Sequence, residues 1–197
     1  MKALFSIALF LMITGSVYSQ NTDLPYRLLP ETPKKYTAGT VAARTVDGLG
    51  FRYYWATEGL TEENLAYKAN EEGRSIGETL DHIWSLTRIT KNSAMEVATT
   101  FDVDASALSF EEKRKETLAF IKTTSDILKK SAAKDFAKYD MIFQYPDGNS
   151  KTYPFWYQLN GPIDDALWHV GQVVLMRRGA GNPFNSKVSV LSGETSN

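Results

Sequence analysis

The stretch that decides the fold covers residues 161–178 and reads GPIDDALWHVGQVVLMRR. It predicts a helix, because proline is tolerated in the first helical turn, where its missing N–H group would have no partner anyway. Asp165 and His169 are four residues apart, so their side chains lie on the same helix face. Val173 and Met176 continue that face with apolar side chains, which indicates that it points towards the core. An acid and an imidazole on such a face require an explanation, and a shared metal ion is one.

Three further helices precede this one. The first is predicted over residues 37–58. The second opens with Ser75 and Glu78, which have the spacing of a capping box, and extends to about residue 99. The third opens with the same box at Ser109 and Glu112 and extends to about residue 133. The apolar positions of the first helix, which should face the core, are Val41, Val46, Leu49, Tyr53 and Ala56.

The hydrophobic pattern changes between the third helix and the fourth. Residues 141–145 and 151–153 show partial alternation on either side of the turn sequence Pro-Asp-Gly-Asn at 146–149. This combination is typical of a short β-hairpin or a paired loop. The sequence therefore predicts an all-α four-helix bundle with a short hairpin or loop excursion between helices 3 and 4.

The bundle should form one domain at residues 37–183. Residues 20–36 contain three prolines among polar residues, which favours an extended arm over a helix or strand. Residues 184–197 follow the helix-terminating glycines and proline and are predicted to be a flexible tail.

Residues 1–19 have the organisation of a signal peptide. Lys2 precedes an apolar run at 3–13, and Val17 and Ser19 occupy the −3 and −1 positions of a cleavage site. The run is too short to span a bilayer comfortably, and the chain has no cysteine for a lipid anchor. We expect an exported protein, periplasmic or secreted, with no stable membrane anchor after cleavage and no disulfides. The formal net charge of −1 gives no basic excess, so nucleic acid is not an expected partner.

The chain has only two histidines, and the other one, His82, lies within the predicted second helix. If helices 2 and 4 are neighbours, His82, Asp165 and His169 can converge as metal ligands do in bundle cores. Two imidazoles and a carboxylate suit a divalent transition metal such as zinc, nickel or iron and leave coordination positions free for water or substrate. Gln172 follows His169 by three residues and could orient this histidine or contact the substrate.

These residues also have simpler interpretations. An Asp–His pair four residues apart, such as Asp165 and His169, can be an ordinary interaction on a helix surface. An inward histidine such as His82 can hydrogen-bond to a backbone carbonyl, and Asp165 in the first turn of a helix is favoured by the helix dipole alone. The alternative function is a metal-free bundle that binds a small molecule or a protein partner in an aromatic cleft. Its candidate residues are Tyr53, Trp55, Trp84, Trp156 and Trp168.

Two segments resemble motifs of the DinB-like (DinB/YfiT) superfamily of four-helix-bundle proteins. They are SIGETLDHIW at residues 75–84 and DDALWHVGQV at residues 164–173. In that family a helix-2 histidine and an H-x-x-x-H pair before Gly-Gln bind a divalent metal. The resemblance assigns those roles to His82 and His169, with Asp165 in place of the first histidine of the pair. It implies a metal-dependent hydrolase or transferase acting on a small substrate; the family often forms homodimers, and the sequence does not decide the oligomeric state.

Overall fold

The computed structural model of the protein describes residues 24–196. The predicted signal peptide at residues 1–19 lies outside this range. The described chain is mostly helical and carries two small sheets, one of three strands and one of two. Within residues 24–196, none of the helices combines the length and the apolar character that crossing a bilayer requires.

The helices and strands follow one another with short connections. The helices are α1 (Ala38–Thr57), α2 (Glu62–Ala66), α3 (Ile76–Ala94), α4 (Phe110–Leu128), α5 (Trp156–Gln158) and α6 (Asp164–Gly179). The strands are β1 (Thr99–Thr100), β2 (Met141–Gln144), β3 (Ser150–Tyr153), β4 (Val188–Ser189) and β5 (Glu194–Thr195). The four long helices α1, α3, α4 and α6 correspond to the four predicted ones.

The long helices pack in pairs around one hydrophobic core. Both α1 and α3 contact α4, and both contact α6. Each long helix contributes completely or almost completely buried side chains to the core, among them Phe51, Ile83, Leu118 and Val173. Val41, which was expected to face this core, is instead 55 % exposed.

Both predicted capping boxes are confirmed. The Ser75 hydroxyl accepts from the Glu78 N–H at 3.1 Å, and the Glu78 carboxylate accepts from the Ser75 N–H at 2.6 Å. Ser109 and Glu112 repeat this arrangement at the start of α4. These contacts satisfy backbone groups that would otherwise lack partners, so they fix where both helices begin.

The predicted ends of these two helices are wrong by about one turn. Helix α3 ends at Ala94, because Glu96 adopts a left-handed conformation with φ of 58°. The N–H groups of Glu96 and Val97 then bond to carbonyl oxygens of the last turn, which is a Schellman termination. Helix α4 ends at Leu128, and a separate 3₁₀-helix follows at Ala133–Lys138.

The predicted hairpin is confirmed. Strands β2 and β3 are antiparallel, with Met141 opposite Tyr153 and Gln144 opposite Ser150. Gly148 in the connecting turn has φ of 85°, a conformation that glycine adopts without strain. The sequence analysis missed β1, whose two residues lie parallel to β2 and beyond the end of α3.

The last long helix begins later than predicted. Residues Leu159–Ile163 form a π-helical segment in which Gly161 is non-helical, with φ of −93° and ψ of −110°. Regular α-helix starts only at Asp164. The proline at 162 explains the irregularity, since it cannot donate a backbone hydrogen bond to the preceding turn.

The chain on both sides of the bundle is attached to it. In the arm, the Tyr26 hydroxyl donates to the buried Asp47 at 3.0 Å, and Trp55 donates to the Arg27 carbonyl at 3.1 Å. Beyond α6, strands β4 and β5 form an antiparallel hairpin, and Gly193 accepts a bond from the Leu29 N–H at 2.9 Å. The prediction of a flexible tail did not foresee this hairpin or its contact with the arm.

Candidate metal centre

The structure brings the three predicted ligands together. His82 lies on α3, and Asp165 and His169 lie one turn apart on the neighbouring helix α6. Each offers a ligand atom, and these atoms all lie within 4.8 Å of one another. Such a group could hold a metal ion.

The distances within the cluster suit a small divalent ion. Asp165 Oδ2 lies 3.3 Å from His82 Nε2, and Asp165 Oδ1 lies 3.3 Å from His169 Nε2. Ligand atoms bound tetrahedrally at about 2.0–2.1 Å are separated by about 3.3–3.4 Å, so these two nitrogen–oxygen distances match such a site, each through a different oxygen of Asp165. The two imidazole rings are nearly perpendicular, with centroids 4.7 Å apart.

The cluster is buried on one side and open on the other. The His169 side chain is 12 % exposed, whereas those of His82 and Asp165 are 31 % and 36 % exposed. Adjacent residues on both helices anchor it, since Ile83 on α3 and Ala166 and Val170 on α6 are buried in the core. A small molecule could therefore reach the cluster from solvent while the backbone behind it stays fixed.

Gln172 has the position expected of a residue that orients a ligand. His169 Nδ1 lies 2.8 Å from Gln172 Oε1, and with the amide in this orientation Nδ1 carries the hydrogen and donates it, because an amide oxygen only accepts. In a neutral imidazole the other nitrogen, Nε2, then keeps its lone pair, and Nε2 lies 3.3 Å from Asp165 Oδ1. Metal-binding histidines commonly have this arrangement, with one nitrogen free for the metal and the other held by a hydrogen bond.

The Gln172 amide can also be placed the other way round, because its oxygen and nitrogen are assigned from their contacts. In that orientation its nitrogen donates to His169 Nδ1, and Nε2 carries the hydrogen instead. A cation bound by Nε2 and the Asp165 carboxylate favours the first arrangement, in which Nε2 keeps a free lone pair. The donor set therefore fits a bound divalent metal.

The surroundings of His82 favour its neutral form. Burial lowers the pKa of this imidazole, and the positive charge of Arg74 lowers it further, although the Asp165 carboxylate acts in the opposite direction. The neutral imidazole is the form that binds metals. Sequence analysis had not singled out Arg74, which lies just before the Ser75 cap and so at the same end of α3 as His82.

The aromatic residues proposed for the alternative function do not share a cleft. Tyr53, Trp55 and Trp84 are buried. Trp156 and Trp168 are exposed but lie on α5 and on α6, and of the two only Trp156 lines a large surface cavity. The structure therefore does not bring the five together as one binding site.

Comparisons with protein-family models, with curated proteins and with solved structures found no match for the chain. The function is therefore inferred from the geometry of the site and from the sequence.

Proposed function

We propose that the protein is a DinB-like four-helix bundle that binds one divalent metal ion through His82, Asp165 and His169. The observation that carries this proposal is the convergence of the three side chains from two helices, with Gln172 holding the far nitrogen of His169. The pairwise packing of α1, α3, α4 and α6 and the hairpin between α4 and α6 support the bundle assignment.

The donor set restricts the choice of metal. Imidazole nitrogens with a carboxylate oxygen suit zinc, nickel and ferrous iron, whereas magnesium and calcium prefer oxygen ligands alone. Cysteine, the usual ligand for softer ions, does not occur in the chain. Zinc is the first metal to test, because three protein ligands with a free fourth position are the usual pattern of its catalytic sites.

The activity proposed for this centre is hydrolysis or group transfer on a small substrate. A divalent metal held here would lower the pKa of a bound water or thiol and so supply a nucleophile at neutral pH. The chain's own contribution is to fix the ligand orientation through Gln172 and to leave the exposed side of His82 and Asp165 accessible. Arg74, an exposed cation near His82, is suited to attract an anionic group of the substrate.

The N-terminal sequence supports export of this metalloprotein to the periplasm or the medium. N-terminal sequencing of protein from the extracytoplasmic fraction should give Gln20 as the first residue. A chain that begins at Met1 in that fraction would contradict signal-peptide cleavage.

Elemental analysis of the purified protein tests the metal assignment. The protein is prepared without chelator and is also reconstituted with zinc, nickel or iron. We expect about one metal per chain, lost in His82→Ala and His169→Ala and weakened in Asp165→Ala, since three ligands hold the ion. Asp164→Ala is the matched control, because Asp164 is the adjacent carboxylate of α6 but is exposed and outside the cluster.

Circular dichroism of each variant separates loss of the site from loss of the fold. Full metal content in His169→Ala would overturn the assignment. If the wild-type protein takes up no metal under any loading and His169→Ala only lowers stability, the metal-free binding module becomes the better description.

A further inference from the structure

A second candidate site lies at the N-terminal end of α1. A cavity of about 950 Å³ opens between the first turns of α1, the 3₁₀-helix at Ala133–Lys138 and α5. It shares no lining residue with the metal centre. Its walls are mainly apolar, with Val41, Phe136, Phe155, Trp156 and Leu159 among them.

Three large hydrophobic side chains at this cavity remain exposed, those of Tyr36, Val41 and Trp156. Trp156 is 75 % exposed, and Val41, at a position that helical spacing assigned to the core, faces the cavity instead. Leaving such groups in water forgoes the stabilisation that burial would give. Concentrated exposure of this kind, around a concave surface, marks binding sites for apolar groups.

A smaller cavity of about 320 Å³ adjoins the first and differs from it in having cationic residues in its lining. The two share Tyr36, Val41 and Thr45 as lining residues. The smaller cavity is also lined by Lys35 and Arg44 and by no acidic residue. The two adjoining cavities make up one groove. Its larger part is apolar, and we call the smaller part cationic because Lys35 and Arg44 line it, although its walls are also mainly apolar.

The two cations of the groove have unused binding capacity. Arg44 donates through Nη1 to the Pro30 carbonyl at 2.7 Å, but neither Arg44 nor Lys35 forms an ion pair with a carboxylate of residues 24–196. The half-buried guanidinium of Arg44 suits a carboxylate, because its remaining N–H groups have fork geometry. The positive end of α1, where Thr37 also lines the larger cavity, has the same sign.

One group opposes this polarity. Asp140 is the only acidic residue among those that line the larger cavity. The Asp140 carboxylate would favour a ligand with a cationic group. The charge preference of the groove therefore depends on which acts more strongly on a ligand, Asp140 or the positive charges of Lys35 and Arg44. Two cations and a helix N-terminus against one carboxylate favour an anion.

We propose that this groove binds an anionic amphiphile of the fatty-acid type, with its apolar chain in the larger cavity and its carboxylate at Lys35 and Arg44. This site is separate from the proposed metal centre and would give the protein a second ligand. Its occupation does not require the metal, so His169→Ala should bind the amphiphile as the wild type does.

The test is a fluorescence titration of the full-length protein with three probes of equal chain length: decanoate, 1-decanol and decyltrimethylammonium. Trp156 is the reporter, so Trp156→Phe should lose the signal, whereas Trp168→Phe, which removes the exposed tryptophan of α6, should keep it. We expect saturable decanoate binding at least about tenfold tighter than that of the cation, a factor that corresponds to ~1.4 kcal/mol.

Variants of the cationic part identify the source of this preference. Lys35→Gln and Arg44→Gln should weaken decanoate binding and leave decanol binding nearly unchanged, and Lys34→Gln, an exposed neighbour that does not line the groove, should change neither. Lys35→Gln is the cleaner variant, because Arg44 also holds the Pro30 carbonyl. Equal affinity for all three probes, tighter binding of the cation, or the absence of saturable binding would each overturn the proposal.

Discussion

Removing the Gln172 side chain should weaken metal binding without removing a metal ligand. Gln172 Oε1 lies 2.8 Å from His169 Nδ1, and in the metal-bound protein this contact would hold the ring in place and keep the hydrogen on Nδ1. In Gln172→Ala, Nδ1 would be left to solvent, the imidazole could rotate, and either nitrogen could carry the hydrogen. Part of the population would then present an N–H group instead of a lone pair to the metal.

The magnitude follows from the role of such contacts in other metal sites. Loss of a partner that orients a metal-binding histidine reduces affinity by about 10–100-fold, or ~1.4–2.8 kcal/mol. We expect the lower part of this range, because Gln172 is exposed and water can replace some of the contact. Gln172→Glu should retain wild-type affinity or exceed it, since a carboxylate accepts the same hydrogen bond more strongly.

Competition with a chromophoric zinc chelator at neutral pH gives these affinities. Asp164→Ala controls for the effect of any substitution on α6, and circular dichroism controls for helix loss. Equal zinc affinity in wild type and Gln172→Ala would refute the orienting role. A loss as large as that of His169→Ala would also refute it, because Gln172 would then act as a direct ligand.

Three further predictions concern stability and are read from urea denaturation. Arg177→Met should lower the free energy of unfolding by about 3–5 kcal/mol, because it removes a buried guanidinium that donates to carbonyl oxygens at the end of α1. The control is Arg178→Met at the exposed neighbouring position, which should change the free energy of unfolding by less than about 0.5 kcal/mol. Burial raises the pKa of Tyr53 from 10.0 to about 12, so the unfolded chain loses this proton first and stability falls as pH rises through that window. Tyr53→Phe should therefore reduce the alkaline loss, whereas the surface variant Tyr157→Phe should not; identical profiles in both would contradict the assignment. Ser75→Ala should cost about 1 kcal/mol by removing the cap of α3, and no measurable loss would mean that the capping box does not stabilise this helix.

The parts of the fold that the sequence predicts well are those with local causes. Capping boxes at Ser75 and Ser109 specify the first residue of α3 and α4, because the contacts that begin each helix lie within four residues. The turn around Gly148 specifies the hairpin in the same way. The four long helices, the starts of α3 and α4 and the hairpin could therefore be predicted without knowledge of the tertiary structure, whereas α2 and the later start of α6 were not predicted.

The features that the sequence did not predict depend on distant partners. Strand β1 is only two residues long and exists because β2 lies beside it. The hairpin of β4 and β5 lies against the arm, where the Gly193 carbonyl accepts from Leu29, more than 160 residues earlier in the chain. The position of Val41 depends equally on packing, because helical spacing indicates a face but not whether a neighbouring element covers it.

The buried side chain of Arg177 shows the same limit. It follows the last apolar turn of α6, where arginine is expected for electrostatic reasons alone. In the structure its guanidinium instead reaches the carbonyl oxygens of Trp55, Ala56 and Glu58 at the end of α1. That end has no glycine-based Schellman termination of its own, so the cap of one helix is supplied by the side chain of another.

The candidate metal centre combines local and distant causes, and Asp165 is the residue that depends on both. Its spacing from His169 is local and was predicted, whereas its contact with His82 needs α3 and α6 to be neighbours. In the DinB-like motif that this segment resembles, a histidine would stand at position 165. An imidazole offers one nitrogen to a metal, whereas the two carboxylate oxygens of Asp165 each lie next to a different histidine ring. The carboxylate also brings a negative charge, which offsets half of the charge of a divalent ion and lies in the first turn of α6, where the helix dipole favours it. The π-helical segment ends directly before α6, so Asp165 lies in the first turn of that helix. The aspartate is thus compatible with a working site, and its shorter reach is matched by the 3.3 Å approach of both imidazoles.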